Sequence, residues 1–563
     1  MIKRQKALLI VLLCLAPMLA LSQAQRSTQG LNSADIYKPL GESWLTYSGD
    51  YTGKRYSSLT QINQSNVKNL TLAWMTRLTG GPGDPGGGRG GGLAAPTRIG
   101  GVGTQEFTGV NIKGSILMVN DILYVSAPDN AWAIDARDGR VLWHFFWRTR
   151  GGTHIGNRGL GMWGNYLFLE TPDNYLVSLD ARTGRERWHR EIADFDEQYF
   201  STPAPIIVDN HVLVGTGNDL DAPGFLQSFD PETGDLQWKF YTVPMKPGDP
   251  GLETWKDLDA ARHGGAQVWV PGSFDPETRL YIFGTGNPTP AYTSKPRGEG
   301  MDNLFTCSIV AVHVDTGKMA WYYQTSPHDT HDWDSGQTPV LVDMPINGRM
   351  RKLVLTASRN GYYFTLDRIT GEHIVTGKIS DTVNWAKGLN ANGQPVRIPE
   401  KDHDIGGALV SSANGGAVNW PPPTFSPDTG LFYVPVSESW AMYYLTETDP
   451  RGAMGLGGKQ EIGLGGETFL TAIDYRTGKT VWRHKYPSVT GGGGTSGLLT
   501  TAGRLLFGGD AGGNFVAFDP ASGKPLWHTR IGSTSNAPQT YMVDGRQYVL
   551  AATGDSLWAF ALY

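Results

Sequence analysis

Cysteine is almost absent, with two in 563 residues. Cys14 lies in an apolar N-terminal stretch, so Cys307 stands alone in the remainder. That remainder forms no internal disulfide and holds no Cys-x-x-Cys-His haem-attachment run. Cys307 sits in a strand-like run and is expected to be a buried, inert thiol. Charge is scarce too: 18% of residues are charged and the formal net charge is −5. A chain with no positive excess is a poor partner for nucleic acid or an anionic membrane surface. Helical periodicity is rare, and beyond the N-terminus no apolar run is long enough to span a bilayer.

The N-terminus reads as an export signal. Lys3, Arg4 and Lys6 precede an apolar stretch from Ala7 to about Leu21, and Ser22-Gln23-Ala24 makes a small-x-small cleavage site. A retained anchor and a lipoprotein through Cys14 are the competing readings. Pro17 interrupts the stretch and Cys14 sits in its middle, which favours cleavage. Loss of residues 1–24 removes three positive charges and no acid, so the mature chain is more negative still. Residues 25–563 are expected to form a single domain.

Glycine and large aromatic residues are plentiful: 74 Gly, 18 Trp and 23 Tyr. They are ordered. An apolar strand ends on Asp, a turn ends on Gly, and Trp follows four residues later. Asp135 to Gly139 with Trp143 shows the pattern, as do Asp180 to Gly184 with Trp188 and Asp230 to Gly234 with Trp238. Asp474 to Gly478 with Trp482 and Asp519 to Gly523 with Trp527 repeat it later. Asp315-Thr316-Gly317 with Trp321 reads as a shortened copy. Asp367 to Gly371 has Ile374 in the Trp place, and Trp74 ends a lone early strand. Asp starts a turn by accepting backbone N–H groups, and Gly supplies its positive φ. A hairpin per copy, with Trp packing between neighbouring sheets, predicts an all-β propeller of seven to nine blades. The Gly-rich segment 80–105 reads as a loop; no Gly-Lys-Ser/Thr follows it, so it is no phosphate loop.

Five polar segments interrupt the repeat. Ser326-Pro-His-Asp-Thr-His-Asp-Trp-Asp334 packs three Asp and two His into nine residues. It reads as a solvated loop, a His metal site, or a carboxylate base at a propeller axis. Asn287 after Gly284-Thr-Gly and Asp219 after Gly215-Thr-Gly-Asn offer hard oxygen ligands of the kind that Ca²⁺ takes. Trp269 lies outside the repeat's Trp position and is a core residue or a face for a flat cofactor. Arg359, with Asn419-Trp420 further on, suits carboxylate or quinone oxygens.

In order, these segments resemble the dehydrogenases that use pyrroloquinoline quinone (PQQ), in the branch of methanol and ethanol dehydrogenases. Trp44-Leu-Thr-Tyr-Ser-Gly-Asp-Tyr51, Arg55-Tyr-Ser57 and Gln61-Ile-Asn63 extend the likeness, which covers about residues 40–560. The resemblance implies an eight-bladed β-propeller with PQQ and a metal ion, Ca²⁺ rather than a lanthanide, on its axis. It implies Asp332 as the base that takes the hydroxyl proton, and Asp219, Asn287 and Asp332 around the metal. Trp269 would stack under PQQ. Arg158, Arg359, Thr202, Thr216 and Asn419 would make its polar contacts. Lys113 stands where the family has a Glu, and Gly152-Thr153 where it has adjacent cysteines. His331 replaces a common Trp. Thr330 stands where lanthanide-using relatives carry an Asp, which underlies the calcium expectation. The implied reaction oxidises an alcohol or sugar hydroxyl, with electrons passing to a separate periplasmic cytochrome c or membrane quinone. A non-catalytic scaffold resembling an outer-membrane assembly factor and an aldose dehydrogenase are the alternatives.

Overall fold

The computed structural model describes residues 30–80, 97–99, 105–107, 110–151, 156–218, 220–402, 406–445, 459–487 and 496–563. The export signal, most of the Gly-rich segment, Gly152-Thr153 and Asp219 lie outside them. Among the described residues, eight sheets of four or five strands follow one another along the chain. They are the blades of a propeller. The first is built from Leu117–Val119, Ile122–Ala127, Asn130–Asp135 and Val141–Phe146, each strand antiparallel to the one before. Blades two to seven occupy residues 161–191, 206–241, 273–324, 340–378, 424–485 and 499–530. The eighth joins the two ends of the sequence: Leu70–Arg77 pairs antiparallel with Ser556–Leu562, outside Arg546–Thr553 and Gln539–Val543.

Burial explains the composition of each blade. The three inner strands are covered on both faces by neighbouring blades and read as continuous apolar runs, such as Leu123 to Ala127 and Val212 to Gly215. The fourth strand lies at the rim and is half exposed, as in Glu186–Glu191. The repeat tryptophan sits on this rim strand and reaches the next blade. Trp143 Nε1 donates to Ala181 O at 2.9 Å, Trp188 to Glu232 O at 3.0 Å, and Trp238 to Val314 O at 2.8 Å. Trp74, Trp321 and Trp482 repeat the contact with Ala136, Arg368 and Pro520. The turn glycine of the receiving blade lies against the indole face. A Cβ at Gly184 would stand 2.6 Å from Trp143 Cε3, and one at Gly371 2.5 Å from Trp321 Cε3. Glycine is therefore needed for contact as well as for positive φ.

Two details of the repeat differ from expectation. The copy at Asp315 is not shortened. His313 takes the Asp place, and Gly317 N–H donates to His313 O at 2.8 Å, as Gly139 does to Asp135 O. Asp315 instead pairs with Arg279. In blade five, Val375 rather than Ile374 takes the Trp place. It stands opposite Thr365, as Trp143 stands opposite Ala133, and approaches Gly478.

The centre of the ring is filled by the chain's own N-terminal arm. Trp44 exchanges backbone hydrogen bonds with Met118 in blade one. Tyr51 O, Thr52 O, Lys54 O and Arg55 O then accept from Phe274, Leu341, Phe425 and Thr500, in blades four to seven. Arg55 is fully buried, donating to Leu498 O, Tyr47 O and Pro538 O at 2.8–3.0 Å and lying 4.7 Å from the Trp44 ring centre.

Gly371→Ala is expected to lose about 2 kcal/mol of stability, because Gly371 has φ +73° and the new methyl meets Trp321. Urea unfolding checks this; a change within about 0.5 kcal/mol would contradict the wedge.

Candidate active site

The inner strands are entered from one end of the propeller, and the segments leading into them converge there on a cavity of about 400 Å³. Lys113 precedes the first inner strand, Arg158 the second, Thr202 the third, Trp269 the fourth, and Asp332 and Asp334 the fifth. Asn287 follows the second strand of blade four, and Arg359 that of blade five. The lead-in segments are tied to one another: Ser115 N–H donates to Arg158 O at 2.8 Å and Arg158 N–H to Thr202 O at 3.0 Å.

Seven residues singled out in the sequence thus line one cavity: Lys113, Arg158, Thr202, Trp269, Asn287, Asp332 and Arg359. Two others stand back from it. Thr216 is fully buried behind Gly217 and Asn218, with no partner for its hydroxyl. Asn419 turns into its own loop: its Nδ2 donates to Gly415 O and its Oδ1 accepts the Trp420 N–H, each at 2.8 Å. Thr330 also faces away, donating to Asp402 Oδ1 at 3.1 Å.

Three cationic residues, Lys113, Arg158 and Arg359, line the cavity together with the carboxylates of Asp332 and Asp334. Arg359 lies 3.1 Å from Asp334 Oδ2 and 3.5 Å from Asp332 Oδ2, and it donates to Asp332 O at 2.9 Å. Asp334 Oδ1 accepts the Asn287 N–H at 2.6 Å. Asn287 Nδ2 donates to Pro288 O, which leaves the amide oxygen as the ligand atom. Arg158 lies 4.7 Å from the Trp269 ring centre, and its Nε and Nη1 meet no acceptor. Desolvation pushes the Arg158 guanidinium down to about 10, against the pull of Tyr47. Desolvation and then Arg158 lower Lys113.

The loop that carries Asp332 is strained and heavily braced. His328 and Asp332 have φ of +53° and +64°. Arg297, itself fully buried, donates to Asp329 O, and Trp333 N–H donates to Asp329 Oδ2 at 3.1 Å. His331 stacks on Trp333 at 4.3 Å and bonds Lys401 O. Burial holds His331 neutral, its pKa down to about 3, and lifts Asp329 to about 6. The two histidines brace the loop. Among the described residues, no group of three or more His, Cys, Asp or Glu is placed to hold a metal. Asn287, Asp332 and Asp334 are the described residues that would hold a cation in this cavity.

Asp334, Gln267 and Trp420 also line the cavity, though the sequence assigns them no role of their own, and it does not single out Glu170, just behind the wall. The signal for Glu170 is positional. It ends the second strand of blade two, where blades three and four have Gly215 and Gly284 against the next blade's backbone. Its carboxyl is fully buried, with no hydrogen-bond partner for either oxygen. Desolvation pushes it well above the ordinary range, and Arg158 offsets only part of this.

Comparison with known proteins places this geometry. The family model for the β-propeller domain of glucose/ethanol/alcohol dehydrogenases of the PQQ type matches residues 44–381. The chain belongs to the PQQ-dependent dehydrogenase family. The quinoprotein alcohol dehydrogenase PedH of Pseudomonas putida is 32% identical over 98% of this chain and 92% of its own. The quinohaemoprotein alcohol dehydrogenase ADH IIB of the same species is 32% identical over 97% and 78%. A europium-containing methanol dehydrogenase superposes with a TM-score of 0.80 at 27% identity, over 94% and 99% of the two chains. A model for the outer-membrane assembly factor BamB matches residues 466–562 only, so the scaffold alternative is not supported.

The residues fit the cofactor of this quinoprotein family, a flat tricyclic quinone with three carboxylates. Arg158 offers donors without acceptors, Gln267 Oε1 has no partner, and Trp269 supplies an aromatic face. Lys113, Arg158 and Arg359 supply the opposing charge.

Glu170→Gln tests the buried carboxyl. The folded state holds its proton to higher pH than the unfolded chain, which releases it near pH 4.3 or so. Wild-type stability contributed by this group therefore falls as pH rises above that value. The variant should match wild type in urea unfolding at pH 4 and exceed it at pH 7. A variant weakened at pH 7 but not at pH 4 would show instead that Glu170 has a favourable ionised partner.

Proposed function

We propose that this chain is an exported, periplasmic PQQ-dependent dehydrogenase that oxidises an alcohol hydroxyl and passes the electrons to a separate acceptor. The observation that carries the reading is the meeting of Asp332, Asp334 and Asn287 with Lys113, Arg158, Arg359 and Trp269 around one axial cavity. The three cations would hold the cofactor's carboxylates and quinone oxygens, and Trp269 its flat face. Bound there, the cofactor supplies the hydride acceptor, beside a cation that polarises its carbonyl.

Asp332 is the group that takes the hydroxyl proton onto a carboxylate oxygen. Its side chain is 18% exposed against 5% for Asp334, so Asp332 is the carboxylate open to substrate. Arg359 holds it by backbone and side chain, and the braced loop fixes its direction. The acceptor in this reading is a cytochrome c or a membrane quinone.

With PQQ and a metal supplied, the protein should reduce an artificial dye when given alcohols. Asp332→Asn should lower turnover by about a hundredfold or more while PQQ still binds. An unchanged rate in that variant would remove Asp332 as base. Turnover with aldoses in place of alcohols would shift the substrate class.

Asp334 adds a second carboxylate beside Asn287, whereas Thr330 points elsewhere. More negative oxygen ligands favour a cation of higher charge, so a trivalent lanthanide is preferred over Ca²⁺. Reconstitution with La³⁺ should give several times the rate found with Ca²⁺, and Asp334→Ala should reverse the preference. Full activity with Ca²⁺ and no gain from La³⁺ would restore the calcium reading.

A further inference from the structure

Asn287 and Asp332 stand on two loops of different origin. Asn287 belongs to the connection between the second and third strands of blade four, residues 285–307, and Asp332 to the lead-in of blade five. Near the strands the two loops meet through their backbones: Ser335 N–H donates to Thr285 O at 3.0 Å. Farther out the strands give no support, and a buried side chain supplies it.

Arg297 ends the short 3₁₀ turn Lys295–Arg297 in the blade-four connection and is 1% exposed. Its Nε donates to Pro290 O at 3.0 Å and its Nη2 to Ala291 O at 3.3 Å, three and four residues after Asn287. The same Nη2 donates to Asp329 O, three residues before Asp332. Nη1 donates to Asn303 Oδ1, and Asn303 Nδ2 donates back to Arg297 O at 3.0 Å. One planar group thus binds the stretch that follows Asn287 to the stretch that precedes Asp332. His328 Nδ1 and Met301 O add a second tie between the same loops at 2.7 Å. Desolvation lowers the Arg297 guanidinium to about 10, a cost of holding this charge away from water. Apolar packing would join two loops without that cost. What the guanidinium adds is fixed spacing and direction through four acceptors, which a lysine ammonium cannot match.

We propose that Arg297 is a positioning residue for the reaction, holding the metal ligand Asn287 and the base Asp332 at their working separation. This rests on the roles proposed above for those two residues. Arg297 itself touches neither substrate nor cofactor and acts through the two loops.

The test uses the full chain with PQQ and La³⁺, after urea unfolding has established that each variant folds. Arg297→Lys should lower kcat about tenfold or more and leave KM for the alcohol within about threefold. La³⁺ binding in the presence of PQQ, followed by calorimetry, should weaken about tenfold. In an Asp332→Asn background the same change should cost less than about threefold in the residual rate, because the group it positions no longer takes the proton. An unchanged kcat and La³⁺ affinity in Arg297→Lys would overturn the proposal. So would an equal loss of rate in both backgrounds, which is the mark of general loosening. If Arg297→Lys does not fold, Asn303→Ala decides: it removes one acceptor of the guanidinium and should lower kcat and La³⁺ affinity together, and no change in either overturns the proposal. Wild-type protein without PQQ-dependent turnover would overturn the functional reading and this proposal with it; an active wild type with an insensitive Arg297 overturns this one alone.

Discussion

The contact of a rim tryptophan with the turn glycine of the next blade, made by Trp74, Trp143, Trp188, Trp238, Trp321 and Trp482, is the main link that joins separate sheets into one ring. Hydrogen bonds within a blade end at its rim strand, so they cannot join blades. The indole does: it buries a large apolar face against a neighbour and satisfies its N–H on a carbonyl of that neighbour's turn. The same step recurs from Trp74 round to Trp482, with Val375 and Gly478 serving where the tryptophan is missing. Closure by Leu70–Arg77 on Ser556–Leu562 then leaves no open sheet at the start or end of the ring.

A closed ring has an axis, and the chain fills it in two ways. One side is packed by the N-terminal arm, whose carbonyls accept from four blades and whose Arg55 is neutralised by carbonyl dipoles rather than by a carboxylate. Desolvation of that guanidinium lowers its pKa to about 10, a cost of placing charge on the axis. The other end is lined by side chains from the lead-in segments of blades one to five. The placement of the cavity residues follows from the repeat: five lead-ins converge without any of them being near the others in sequence. The excess of cations there suits a cofactor that brings several carboxylates, and the paired Asp332 and Asp334 suit a hard metal beside it.

The fold was largely legible because Asp, Gly and Trp act within one turn and one strand. The blade count was less so. The eighth blade is assembled from both ends, and the sixth carries a long hairpin over Leu431–Tyr444 and Lys459–Asp474. His313 hid one turn by replacing its Asp. Residues inside strongly patterned segments, such as Arg158, Trp269 and Asp332, meet at the one cavity. Thr216, Asn419 and Thr330 were harder, because facing the axis or facing the loop depends on how neighbouring lead-ins pair. Asp334 and Trp420 sat beside recognised residues but drew their meaning from contacts with Asn287 and Arg158. Glu170 needed a comparison between blades.

The central claim is that one quinone in the axial cavity takes the electrons of one alcohol. Anaerobic mixing of PQQ-loaded protein with a primary alcohol, without any electron acceptor, tests it most directly. The account predicts complete loss of the quinone absorbance and one aldehyde formed per chain. Protein that holds PQQ but shows no absorbance change, with any alcohol and with aldoses alike, would contradict it.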